Sequence, residues 1–127
     1  ESVNAVTFRT RIGEYRGELT KSAFADAFWL SLPVSSVINM LGCEIYFEVP
    51  AEIDAKGERT TVLNKRDIAF WPEASALCLF FGPTPLSGED GRPISPYPVI
   101  KIGELVGEID SLAEVGDRTK ITVETAF

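Results

Sequence analysis

The sequence contains no histidine. That removes the commonest general base and the commonest transition-metal ligand, and with them every Ser-His or Cys-His nucleophile arrangement. Cysteine is almost as scarce. Cys43 and Cys78 are too few for a disulfide framework or a structural zinc site. Both are expected as buried, reduced thiols, which fits a cytoplasmic address. The sequence starts at Glu1 rather than Met, and the expectation is that something upstream was trimmed, a tag or a signal peptide alike. No apolar run comes near the ~20 residues that cross a bilayer.

Positive charge is the minority, 12 Lys and Arg against 19 Asp and Glu, for a net charge of −7. Arg9, Arg11, Arg16, Arg59, Lys65, Arg66 and Arg92 are scattered, so neither nucleic acid nor an anionic membrane is an expected partner. The acidity reads as solubility. Phosphate loops are missing too. The nearest approach, Ile102 to Gly107, has strand character and no lysine after its second glycine. Glu89, Asp90 and Asp54 form no spaced run of oxygen ligands, so no metal is expected, and no cofactor motif is present.

What is present is one domain, residues 1–127, with 45% hydrophobic and 24% charged residues. A chain of this size buries roughly two-thirds of its unfolded surface and needs no staple. Strands are expected from Val3 to Phe8 and, after a turn at Gly13, from Glu14 to Leu19. Thr20 is the expected N-cap of a helix from Lys21 to Leu32, with Phe24, Ala27 and Phe28 as its buried stripe and Pro33 as its stop. The period then changes to two. Val34 to Met40 and Cys43 to Val49 read as strands about a Leu41-Gly42 turn, with Cys43, Ile45, Phe47 and Val49 inward and Glu44, Tyr46 and Glu48 outward. Pro50 to Glu58 is turn-rich, and Thr60 to Leu63 reads as another strand.

The next stretch, IAFWPEASALCLFFGPTP, is apolar on both faces. Ile68, Phe70, Leu77, Leu79 and Phe81 fall on one side. Ala69, Trp71, Cys78 and Phe80 fall on the other, which must lie under a cover or open into a groove. Residues 82–98 hold five of the eight prolines and are expected as a long loop. Val99 to Val106 is a strand, Asp110 caps a short helix ended by Gly116, and Lys120 to Thr125 closes the sheet. The expectation is mainly β: a closed eight-stranded barrel with two short helices.

Four blocks, Ser36 to Phe47, Asp67 to Pro72, Ala76 to Pro85 and Val99 to Gly103, resemble the small prokaryotic cyclophilin-like proteins of unknown function, over nearly the whole chain and in the same order. The resemblance implies the cyclophilin-type barrel and no settled reaction. True cyclophilins are peptidyl-prolyl isomerases that lower a barrier of ~18–20 kcal/mol with an arginine above a hydrophobic proline pocket. Alignment of the blocks sets their Phe-His-Arg against Val34-Ser35-Ser36, so Ser36 takes the arginine's place. Their Phe, Met and Gln strand reads Glu44-Ile45-Tyr46-Phe47, and a further histidine falls at about Pro98. The usual catalytic donor is missing while the pocket's aromatic character partly survives.

The ligand-groove candidates are accordingly Glu44, Tyr46, Trp71, Phe80, Ser36 and Arg92. Trp71 either walls a groove with Phe80 or covers the barrel mouth under the helix. Glu44, Tyr46 and Glu48 either bind a basic or amide-bearing ligand or form a solvated strand face. Arg66-Asp67 reads as an ion pair at a strand start, and Arg92 replaces the missing arginine if its loop folds over the pocket. The leading expectation is a binding module for an extended peptide or small amide-bearing ligand. The alternatives are a prolyl isomerase with a non-standard site and a barrel that pairs as a homodimer through its exposed apolar set.

Overall fold

The computed structural model describes residues 4–50 and 54–126. Val3, and residues 51–53 of the turn-rich stretch, lie outside the described residues. Among the described residues ten strands form one antiparallel sheet: β1 (Asn4–Thr10), β2 (Gly13–Leu19), β3 (Val34–Val37), β4 (Asn39–Leu41), β5 (Glu44–Glu48), β6 (Arg59–Val62), β7 (Asp67–Trp71), β8 (Ala76–Phe80), β9 (Ile94–Val106) and β10 (Lys120–Thr125). Their order is β3-β10-β1-β2-β9-β7-β8-β5-β4, with β6 branching off β9.

The sheet is open, and the expected closed eight-stranded barrel is corrected: β3 and β4, at the two ends of the order, do not pair with each other. The cause is local. The run read as one strand breaks at Ile38, whose side chain is fully buried and whose backbone bonds the turn before β10, Ile38 N–H to Thr119 O and Arg118 N–H to Ile38 O, both at 2.8 Å. Before Ile38 the chain pairs with β10, and after it with β5. The tight β4–β5 turn is Gly42-Cys43, and Gly42 has φ +59°. An added Cβ there would also meet Pro85 and the Thr84 backbone, so glycine suits the position twice over.

Only one α-helix is present among the described residues, α1 (Ala23–Leu30), shorter than expected. Its N-cap is Ser22, not Thr20: Ser22 Oγ accepts from Ala25 N–H at 3.0 Å. Thr20 N–H instead donates to Ile102 O and stays with the sheet. Phe24, Ala25 and Phe28 are the buried residues of α1, while Ala27 is only half-buried. The second expected helix is a 3₁₀ stretch, Asp110–Glu114, with no side-chain cap at its Ncap position. Asp110 is exposed and pairs with Lys65, and Glu108 receives Ser111 N–H.

The main core lies between α1 and the inner face of the sheet, where Phe8, Phe47, Ile68, Phe70, Leu77 and Leu79 meet Phe24 and Phe28. Phe24 packs on Phe70 at 4.6 Å, and Phe8 meets Phe47 edge-on at 6.2 Å. A second, smaller cluster lies on the other face of β7 and β8. It contains Leu63, Ala69, Cys78, Phe80 and Val99, with Tyr46, Trp71 and Tyr97 packed against it. The doubly apolar stretch is thus covered on both sides, as its two-faced pattern requires.

Candidate functional site

The second face is built by register. β7, β8 and β5 lie side by side, aligning Ala69 with Cys78 and Tyr46, Trp71 with Ala76 and Glu48, and Phe80 with Glu44. Ala69, Cys78 and Phe80 are buried on this face, and Tyr97 of β9 packs against them. Its ring stacks on the Trp71 indole at 3.5 Å and 8°, and Tyr46 stands edge-on to both, 6.1 Å from Trp71 and 6.2 Å from Tyr97. Near-parallel and edge-on rings add to the stabilisation that burial alone provides. All three rings are half-buried.

Beneath them lies a carboxylate. Glu44 is 0% exposed, so its expected place on a solvated strand face is corrected. The alternation is right, but the outward face is covered by β9 and by Leu63 after β6. Glu44 Oε2 accepts from the Tyr97 hydroxyl at 2.6 Å; among the described residues no hydrogen bond reaches Oε1, and the Cys78 thiol is the other polar group that acts on the carboxyl. Burial pushes the Glu44 carboxyl above its ordinary value, and contacts from Tyr97 and Cys78 partly offset this. Burial, helped by the neighbouring Glu44 charge, raises the Cys78 thiol well above its ordinary range, so Cys78 is a thiol and not a thiolate. Burial likewise raises the Tyr97 phenol, which keeps its proton and acts as the donor.

Four of the expected residues, Glu44, Tyr46, Trp71 and Phe80, therefore come together. Phe80 is fully buried and serves as floor rather than contact surface. Trp71 does not lie under α1, which packs on the opposite face through Phe70. Arg92 is exposed, and its Nε donates to Leu63 O at 3.0 Å. Ser36 sits on β3 opposite Ile121 of β10, and no hydrogen bond or ring contact ties it to the aromatic group. The Arg66-Asp67 pair is also corrected. Arg66 donates to Gly107 O, whereas the buried Asp67 carboxylate takes Asn64 N–H at 2.8 Å and Lys101 Nζ at 3.2 Å. Sequence reasoning missed Tyr97, because it stands between two prolines in a stretch read as loop. The signal that marks it is its spacing of two from Val99, which puts both on one face of a strand.

A model of the cyclophilin-like family matches residues 4–124. The chain belongs to the cyclophilin-like family. It is also similar to the hypothetical protein AF2241 from Archaeoglobus fulgidus, whose solution structure superposes with a TM-score of 0.80 at 31% identity, covering 98% of this chain and 95% of that one. No curated protein matches. In this cyclophilin-like chain no arginine among the described residues donates to the aromatic group. The described residues also hold no cluster of three potential metal-binding side chains and no helix long and apolar enough to cross a membrane.

Proposed function

We propose that this cyclophilin-like chain is a binding module that takes an extended peptide or a small amide-bearing ligand on the outer face of β5, β8 and β7. The observation that carries the reading is the half-buried group of Tyr46, Trp71 and Tyr97 above the unpartnered Oε1 of Glu44. Flat aromatic surface supplies affinity for an extended chain, and a buried acceptor without a donor is what an amide N–H or hydroxyl satisfies. An isomerase needs an arginine aimed at the twisting amide. Arg92, the candidate for that role, spends its Nε on Leu63 O, which favours binding without catalysis. The two free cysteines support a cytoplasmic setting.

The test is titration of isotope-labelled protein with short Xaa-Pro peptides, following the Trp71 indole resonance and the peptides' cis–trans exchange. Shifts at Trp71 with unchanged exchange support the binding module. Accelerated exchange replaces it with an isomerase, and Trp71 shifts that depend on protein concentration alone replace it with a homodimer through this face.

A further inference from the structure

The segment that carries Tyr97 is held to the sheet in an unusual way. Ile94 pairs with Val62 and Val99 with Thr60, but residues 95–98 between them have no partner in the register. Pro96 and Pro98 have no N–H to offer a neighbouring strand. Ser95 is buried, and its hydroxyl takes Tyr97 N–H at 3.2 Å while donating to Tyr97 O at 2.6 Å. The Tyr97 backbone is therefore satisfied within its own arch. What fastens the arch to β7, β8 and β5 is the Tyr97 side chain, and it can leave without breaking a pairing of the ladder.

That side chain also contacts the groove as a ligand would. It places a flat ring on the Trp71 indole, meets the edge of Tyr46, and donates a hydroxyl hydrogen bond to a buried carboxylate. We propose that the Pro96-Tyr97-Pro98 arch is an internal occupant of the groove, and that the external ligand is the tyrosine side chain of an extended, proline-flanked peptide that displaces it. This rests on the peptide-binding reading given above, with Tyr46 and Trp71 keeping the aromatic surface and the peptide's ring taking the place of the Tyr97 ring. The slot selects for tyrosine rather than proline, because the stack requires a flat ring and Glu44 requires a hydroxyl at its far end. A phenylalanine fills the stack and leaves Glu44 Oε2 without the hydroxyl donor that Tyr97 supplies. Occupation by Tyr97 lowers the apparent affinity for the incoming peptide by the fraction of molecules whose arch is open.

The experiment measures binding of acetyl-Ser-Pro-Tyr-Pro-amide, its Phe-for-Tyr analogue and 4-methylphenol to the wild-type chain, Tyr97→Phe and Tyr97→Ala, through the Trp71 indole resonance. Removing the ring in Tyr97→Ala is expected to tighten binding of the tyrosine peptide at least about tenfold, since the competing state disappears. Tyr97→Phe, which keeps the stack and loses the hydroxyl, is expected to tighten it less, and the tyrosine peptide is expected to bind about tenfold tighter than its Phe analogue. 4-Methylphenol alone is expected to bind more weakly than the peptide. Equal affinity in the wild-type chain and the folded variants overturns the internal occupant. Equal affinity for the Phe analogue overturns the tyrosine preference. Either result leaves the peptide-binding reading standing, whereas no peptide bound by any of the three proteins sinks both. 4-Methylphenol binding as tightly as the peptide overturns the peptide as source. A wild-type dimer in sedimentation that Tyr97→Ala dissociates overturns the intramolecular arrangement, because the arch then docks in a second copy. If Tyr97→Ala does not fold, Tyr97→Phe decides by the same comparison.

Discussion

Glu44 stands next to Ile45 on β5, and the two face opposite layers, yet neither keeps any exposed surface. A carboxyl in that position binds its proton more tightly in the folded chain than in the unfolded one. The folded state then carries more protons over the window that starts near the ordinary value of 4.5 and ends at the raised one. Stability is fully present below that window and falls as pH rises through it, by at most ~1.4 kcal/mol per pH unit. Urea midpoints of the wild-type chain are expected to show this fall, and Glu44→Gln to lack it. An identical slope in both proteins assigns the effect to another group. The cysteines differ by the same physics. Iodoacetamide followed by mass spectrometry is expected to label half-buried Cys43 first, with Cys78 spared until denaturant is added. Alternation in the sequence put Glu44 and Tyr46 on one face of their strand, and Trp71 and Phe80 on one face of the next pair. It carried no information on what covers those faces, so the burial of Glu44 was not legible.

At the scale of elements, α1 shows how a cap is chosen. Both Thr20 and Ser22 are hydroxyl residues before the helix, but Thr20 N–H is already engaged by Ile102 O of β9, so the chain leaves the sheet two residues later. Ser22→Ala is expected to cost about 1 kcal/mol in urea unfolding, the usual loss for a removed N-cap oxygen. Thr20→Val, which keeps the backbone N–H, is expected to leave the cap intact, and a larger loss from Thr20→Val than from Ser22→Ala contradicts the assignment. β9 offers a second case. Its residues 95–98 have no partner in the register, while residues 100–104 are flanked by β7. Hydrogen exchange is expected to be faster at Tyr97 than at Ile100, the first relying on Ser95 Oγ alone and the second paired with Arg59 of β6 on one side and Phe70 of β7 on the other. The sequence placed most strands correctly because a two-residue period is a local property. It misread residues 94–98 as loop because proline there argues against a ladder strand, and the chain resolves the conflict by leaving the prolines unpaired.

Across the whole molecule, the two faces of one sheet do different work. The inner face holds the larger core under α1 and joins strands distant in the order, as when Phe47 of β5 meets the edge of Phe8 of β1. Phe47→Ala is expected to destabilise the fold by about 3–5 kcal/mol, since the ring is fully buried and its loss leaves a cavity. Far-ultraviolet dichroism and tryptophan fluorescence are expected to report that loss at one common midpoint, as one core spanning the sheet implies. Separate midpoints contradict that coupling. The sequence by itself determined which side chains share a face, that the chain carries no histidine for acid–base work, and which family its blocks resemble. Only the tertiary structure decided that the sheet runs open, breaking where Ile38 turns its backbone to the segment before β10. Only it decided that Tyr97 reaches Glu44, 53 positions away in the chain. The reason is physical: alternation is set by the geometry of neighbouring residues, whereas the cover over a face is supplied by whichever distant segment the packing of the whole chain brings there.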